Sequence, residues 1–437
     1  MGCLRAVTAL CCAALLDACG GGSGIDAGSP PAQMADGWVG AWAAAPYGPF
    51  PYGPLTGVAP VDPLAITARF DGDQARDQSF RMVVHPTLRG EMLRVRLSNL
   101  MGTQPLRLEP VRVAIRAVGP AIVPGTDTAV RFDGQPAVTI APGAEAVSDP
   151  VALSYADGDD LAVSFHVVGD SGPMTWHAVS FGLNYVSLPG SGDVTTDPAG
   201  VQFGQTSTGW FFISGIDVLA PDAGAIVALG DSITDGAYQV PESNSRWPDL
   251  LAQRLAAAGV AMSVLNQGIN SNTVTRAGEG GDPAKGPAAE DRFDRDVLGR
   301  SGVRALVIFE GTNDLTAGVS GADVLAGIRR LIERAHAAGL CVVVGTIMPR
   351  DDLIFGWDRA TMEAERQLIN AGIRAMTGIE GIADFDAVMG SPLDPTRPNP
   401  LLYAPDLLHP TSLGFRVMAD AVPIEALVPP PAGNCGA

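Results

Sequence analysis

One hydroxyl, one imidazole and one carboxylate stand at spacings that suit acyl transfer. Ser232 follows four apolar residues, Ile226 to Leu229, and the turn Gly230-Asp231. A serine hydroxyl is a poor nucleophile until a base takes its proton and a third group orients that base. There are five histidines. His85, His166 and His177 lie in a β-patterned first half and suit half-buried or surface positions. His336 lies near the carboxyl end of a helix-patterned segment, where a cation suits the helix dipole. His409 differs, because it sits in Asp406-Leu407-Leu408-His409-Pro410, directly before Thr411 and Ser412, either of which can cap a final helix. A carboxylate three residues ahead on a loop reaches the imidazole Nδ1 and leaves Nε2 for a serine. The same spacing also suits a structural loop. Gly-Asp-Ser itself recurs at Gly169-Asp170-Ser171, where an alternating strand runs into Gly172-Pro173 and a hairpin turn is expected.

Acyl transfer also needs donors for a developing oxyanion, each worth on the order of 3 kcal/mol. Two further strand ends offer them. Met262–Leu265 is followed by Asn266-Gln267-Gly268-Ile269-Asn270, where Gly268 lets a backbone N–H approach closely. Ala305–Phe309 is followed by Glu310-Gly311-Thr312-Asn313-Asp314, where the Asn313 amide can donate. Taken singly these are turn sequences. Taken together they place Ser232, Gly268 and Asn313 at the carboxyl ends of consecutive strands, the edge where open α/β sheets carry their chemistry.

The elements that must position them fall into two halves. From Trp38 to about Pro221 the apolar pattern has period two: Leu93, Val95 and Leu97 alternate with Arg94, Arg96 and Ser98, and Leu161, Val163, Phe165 and Val167 repeat the alternation. Many short strands with Gly- and Pro-rich turns and no helical stretch predict an antiparallel β-sandwich-like domain over residues 37–221. After Pro221, apolar runs alternate with helix-period segments, of which Asp323–Ala338 is the clearest. Residues 222–437 therefore read as a parallel sheet wrapped by helices.

The chain has 437 residues, 46% hydrophobic and 17% charged, with a formal net charge of −19 and no basic run, which excludes nucleic acid as an expected partner. Residues 1–19 carry Arg5, an apolar run from Ala6 to Leu16 and then Asp17-Ala18-Cys19, the pattern of a secretory signal too short to span a membrane. Leu16-Asp17-Ala18-Cys19 resembles a bacterial lipoprotein cleavage box, with Cys19 as the lipid-bearing residue. Asp17 is unusual in such a box and leaves ordinary cleavage and release open. Residues 20–36 read as a flexible linker. Outside residues 1–19 the cysteines are Cys341 and Cys435, which suit either one disulfide or a buried thiol in a strand with a second in the tail. No His, Cys or Asp cluster has zinc-ligand spacing, so neither a metal nor any other cofactor is expected.

In order and spacing, Gly230-Asp231-Ser232-Ile233-Thr234, Gly268, Gly311-Thr312-Asn313-Asp314 and Asp406-x-x-His409-Pro410 resemble the four blocks of the GDSL (SGNH) esterase/lipase family over residues 222–425. The resemblance implies a flavodoxin-like α/β/α sandwich and hydrolysis of carboxylic esters through a serine acyl-enzyme. It implies Ser232 as nucleophile, His409 as base and then acid, and Asp406 as its orienter. The oxyanion hole is implied to be the Ser232 and Gly268 N–H groups with the Asn313 amide, supported by Asp231 and Asp314. Trp38-Val39-Gly40-Ala41-Trp42 with Ala45-Pro46 and the β-rich first half resembles a two-domain branch that includes xylan-associated esterases. The expected substrate is then a short-chain acyl ester, a carbohydrate acetyl ester among the candidates. The alternatives are a lipase or aryl esterase and an inert carbohydrate-binding surface protein. In the implied topology a helix starting beside His409 runs to the sheet edge where Cys341 begins its strand, so Cys435 can return to it, and a Cys341–Cys435 disulfide is expected.

Overall fold

The computed structural model describes residues 36–52, 68–352, 354–428 and 435. The expected signal segment with Cys19, and all but the last residue of the expected linker, lie outside the described residues.

The first half is built from antiparallel strands. One sheet has five, in the order Trp38–Ala43, Ile213–Leu219, Gly90–Ser98 and Glu145–Val147, with Val151–Tyr155 also paired to Gly90–Ser98. A second sheet has seven, centred on Arg76–Val84, Leu161–Asp170 and Leu106–Ile115. The alternation of Leu93, Val95 and Leu97 with Arg94 and Arg96 buries the apolar set from one sheet against Phe80, Val111, Val163 and Phe165 of the other. Leu161–Asp170 departs from simple alternation, since Ala162, Ser164 and His166 are buried as well. Its outer face is covered by the segment around Thr195, which Arg81 ties down through the Thr195 carbonyl while bonding Ser164 Oγ.

The second half is a five-stranded parallel sheet of β1 (Gly224–Gly230), β2 (Met262–Gly268), β3 (Val303–Phe309), β4 (Cys341–Gly345) and β5 (Gly381–Ala383), in spatial order 2-1-3-4-5. That order belongs to the flavodoxin-like group of doubly wound sheets. The core strands are covered on both faces, which is why their sequences are unbroken apolar runs. Ile226 and Ala228 pack with α2 (Trp247–Ala257) and the late helix Ser412–Ala421, whereas Val227 and Leu229 pack with the helices Gly321–Ala337 and Arg359–Arg374. Ser320 caps the Gly321–Ala337 helix by accepting the Asp323 N–H, and Val324, Ile328, Leu331, Ile332 and Ala335 form its buried stripe. In register, Gly230 lies opposite both Gly268 and Phe309, so three strands end together at one edge.

The two halves share packing and hydrogen bonds. Thr87 Oγ1 accepts the Val264 N–H at 2.9 Å and donates to the Val264 carbonyl at 3.1 Å, covering the edge strand β2, and Ser263 Oγ donates to the Gly40 carbonyl at 2.5 Å. Capping an edge strand in this way satisfies a ladder that would otherwise be open to another chain. At the opposite end of the strands from Ser232, Cys341, the first residue of β4, is disulfide-bonded to Cys435 across 94 residues of sequence. A loop of that length is worth up to about 4.7 kcal/mol in denatured-state entropy. The Cys341→Ser/Cys435→Ser variant is expected to lose on the order of 10 °C in Tm and to keep its ester turnover at 25 °C. Differential scanning calorimetry showing an unchanged Tm would remove the disulfide from the stability account.

Candidate active site

Ser232 opens a four-residue helix, α1 (Ser232–Asp235), directly after β1. Asp231 caps it by accepting the Ile233 N–H at 2.9 Å, and Gly236 closes it at φ +104°. The strand-to-helix turn thus holds the hydroxyl at the sheet edge, 8% exposed. Ser232 Oγ lies 2.8 Å from His409 Nε2, and His409 Nδ1 lies 2.6 Å from Asp406 Oδ2. Asp406 Oδ1 accepts the backbone N–H groups of Leu408 and His409 at 3.1 and 3.0 Å, which fixes the carboxylate plane. With Asp406 accepting at Nδ1, the proton of the neutral ring belongs there and Nε2 is left as the acceptor for the serine proton. Burial opposes the Asp406 charge, but the His409 ring and the two N–H groups outweigh it and hold the carboxyl below its ordinary range. The Tyr238 ring stacks 5.6 Å from the imidazole and Phe355 meets it edge-on at 6.0 Å. Thr411, two residues on, caps the Ser412–Ala421 helix and so anchors the loop that carries His409.

Asn313 lies on a short helix, Thr312–Thr316, entered through Gly311 at φ +123°. A side chain at Gly311 would also press on Val324 at 2.9 Å. Asn313 Nδ2 donates to the Asn272 carbonyl at 2.9 Å and stands 3.5 Å from Asp231 Oδ2. One amide hydrogen is therefore engaged, and the other meets only a long contact that an incoming oxyanion can replace. Asp314 points away from Ser232 and accepts from Val274 N, Thr275 N and Thr275 Oγ1 at 2.7–3.0 Å, anchoring the 272–275 loop. Burial is the main force raising its carboxyl, and the same cause carries Asp231 to about 6 and Glu310 to about 8.

Gly268 is a correction. It is the last residue of β2 rather than part of a loop, and its N–H donates to Asn266 Oδ1 at 2.9 Å. That hydrogen bond takes the donor expected for an oxyanion. The glycine is required instead by packing, because a Cβ there would lie 2.2 Å from the Asp235 nitrogen of α1. A candidate donor in its place is Ser271. It is exposed, adopts φ +62°, and its N–H has no acceptor among the described residues. Its neighbours on both sides are tied to the site: Asn270 Nδ2 donates to Asp235 on α1, and the Asn272 carbonyl accepts from Asn313.

Other site residues carry no local sequence signal. Arg292 is fully buried and donates to the carbonyls of Gly230 and Gln267, to Glu310 and to Asn272, joining the ends of β1, β2 and β3. Arg350 is equally buried, donates to Thr312 Oγ1 at 2.8 Å and stacks over Trp357 at 4.8 Å. His177, expected only in the β-rich half, reaches α1 with Nε2 3.0 Å from Asp235 Oδ1. His336 pairs with Glu380, His85 with Asp160 and His166 with Asp77, all away from Ser232. The second Gly-Asp-Ser places Ser171 in the interior, where Oγ accepts the Ala75 N–H and donates to the Gly172 carbonyl. Among the described residues no three His, Cys, Asp or Glu side chains converge on a metal position, and no helix is long and apolar enough to cross a membrane.

No curated protein matches the chain. Solved structures similar to part of it include a GDSL-like lipase from Bacteroides thetaiotaomicron (20% identity over 46% of this chain and 87% of that one, TM-score 0.34). An inhibitor-bound aryl esterase from M. smegmatis is 18% identical over 47% and 100%, with TM-score 0.38. A carbohydrate acetylesterase family member from Sinorhizobium meliloti is 16% identical over 45% and 94%, with TM-score 0.36. The model of the GDSL-like Lipase/Acylhydrolase family matches residues 228–417, a span that holds Ser232, Asn313, Asp406 and His409. The chain carries a GDSL-like lipase/acylhydrolase domain.

Proposed function

We propose that the chain is an exported serine esterase that hydrolyses short-chain carboxylic esters through an acyl-enzyme. The observation that carries the reading is the continuous chain of hydrogen bonds from Ser232 Oγ through His409 to Asp406, all three residues buried. Ser232 Oγ attacks the ester carbonyl as its proton passes to His409 Nε2. The negative oxygen of the tetrahedral intermediate is met by the N–H groups of Ser232 and Ser271 and by the Asn313 amide. His409 returns the proton to the leaving alkoxide as the acyl–oxygen bond breaks. A water then attacks the acyl-enzyme with His409 again as base, releasing the acid and restoring Ser232.

Two features support a short acyl group. The surface on the Ser232 side is polar, with Ser271 exposed and Asn313 half-buried. The space beside Asp231, between Ile233, Phe309, Thr312, Met348 and Leu408, is packed too tightly to hold a water and offers no room for an acyl chain. A purified protein is expected to show kcat/KM at least about tenfold higher for p-nitrophenyl acetate than for the decanoate, since a chain with no pocket gains no binding. A preference for decanoate would overturn the short-chain reading in favour of a lipase. An aryl alcohol is a second candidate for the leaving group, because Tyr238 and Phe355 flank His409; ethyl and phenyl acetate compared at equal concentration distinguish it. Export is supported by the sequence of residues 1–19 and by the Cys341–Cys435 disulfide, which suits an oxidising compartment.

A further inference from the structure

We propose that Tyr47 and His177, both from the β-rich half, are positioning residues for the nucleophile, holding α1 and the Ser271 turn in register through Asp235 and Asn270. The proposal rests on the hydrolase reading of Ser232. Asp235 is the last residue of α1, three after Ser232, and its carboxylate faces away from the catalytic hydrogen bonds into the junction between the halves. Tyr47 Oη donates to Asp235 Oδ2 at 2.9 Å and accepts the Asn270 N–H at 2.6 Å. Asn270 Nδ2 donates to the same Asp235 oxygen at 3.0 Å, which closes a ring of three residues. His177 completes the carboxylate's partners at Oδ1, with its other nitrogen donating to the Ala45 carbonyl at 2.7 Å. His177 Nε2 also lies 3.2 Å from the Val179 carbonyl, so both ring nitrogens face acceptors.

All four residues are nearly or wholly buried, at 0% (Tyr47), 1% (Asp235), 3% (Asn270) and 4% (His177). Tyr47 and His177 also meet edge-on at 5.0 Å, so each limits the rotamers of the other. Burial and the Asp235 charge push the Tyr47 hydroxyl well above its ordinary range, so it stays a proton donor. A network this fully satisfied in a buried site is rigid, and losing one member leaves a buried partner unpaired. Its two outputs are the backbone of α1, which sets Ser232, and the backbone of Asn270, which precedes the Ser271 donor. No residue of the second half supplies the Tyr47 hydroxyl or the His177 ring, which are 188 and 58 residues from Asp235 in sequence. The β-rich half is thereby a structural part of the active site, whatever substrate it also touches.

The test uses the full chain with p-nitrophenyl acetate. Tyr47→Phe removes one oxygen atom and keeps the ring. It is expected to lower kcat by about tenfold or more, leaving KM within about twofold, because misplacement of the reacting groups rather than loss of substrate contacts is at issue. His177→Ala is expected to do the same, and His177→Gln, which can still donate to Asp235, to recover most of the rate. A brace that served only to join the halves would instead lower Tm and leave kcat at 25 °C unchanged. Should His177→Ala lose the wild-type circular-dichroism spectrum, Tyr47→Phe decides. A kcat within about twofold of wild type in Tyr47→Phe overturns the proposal. A wild-type protein with no turnover overturns the hydrolase reading itself, so the two failures are distinguishable.

Discussion

Ser232→Ala is expected to lower kcat for p-nitrophenyl acetate by about 10⁴-fold or more, with the circular-dichroism spectrum and Tm of the wild type retained. The size of the loss follows from the hydrogen bond it removes. Ser232 Oγ lies 2.8 Å from His409 Nε2, and without it the imidazole can activate only water. Its removal leaves the fold intact because α1 is capped by the Asp231 side chain and closed by Gly236, neither of which uses Oγ. Ser171 supplies the matched comparison. It stands in the same Gly-Asp-Ser tripeptide, yet its Oγ accepts the Ala75 N–H and donates to the Gly172 carbonyl in the interior. Ser171→Ala is expected to cost on the order of 1–3 kcal/mol of stability through the unpaired N–H and nothing in kcat. Steady-state kinetics and calorimetry on the two variants should therefore show opposite patterns. Retained turnover in Ser232→Ala would sink the nucleophile assignment.

The contrast between these two serines shows what the sequence made legible. Three letters did not distinguish them; the alternation of apolar runs with helix-period segments did, because it put one at a parallel strand end and the other after a β-patterned run. The parallel sheet was legible because its strands are buried on both faces and carry unbroken apolar runs. Asp406-x-x-His409 was legible because the contact is local, made within one loop. The proposed oxyanion turn was not. The apolar run of β2 stops at Leu265, but the strand continues through Asn266, Gln267 and Gly268. Asn266 can stay in the strand because its side chain is satisfied by Thr234 O and by the N–H of Gly268. An apolar pattern undervalues such residues and ends the strand three positions early, at Leu265. Ser271, a non-glycine at positive φ, offers no compositional signal for the left-handed conformation it adopts. Tyr47, His177, Arg292 and Arg350 were illegible for a different reason: each acts on the site across a long sequence separation, and only the packed fold brings them there.

Asp406→Asn is expected to lower kcat by about 10³- to 10⁴-fold at near-neutral pH, and the structure dictates why an isosteric change is so costly. In the wild type Oδ1 accepts two backbone N–H groups, from Leu408 and His409. An asparagine must keep its oxygen on that side, because an amide NH₂ turned there would confront two donors. The amide nitrogen is then forced toward His409 Nδ1, which has to become an acceptor. The ring proton shifts to Nε2, the atom facing Ser232 Oγ, and the imidazole can no longer take the serine's proton. Packing does not change, since Tyr238 and Phe355 still confine the ring, so Tm is expected to fall by only a few degrees. The lowered Asp406 carboxyl sets the sign of the pH effect on stability. A carboxyl with a folded pKa below its unfolded value stabilises the protein at pH values above about 4 and loses that contribution as acid protonates it. Asp406→Asn should therefore be less stable than wild type at pH 7 and approach it in acid. A kcat within tenfold of wild type would mean that His409 reaches its working tautomer without Asp406, and the third member of the proposed catalytic set would have to be sought elsewhere.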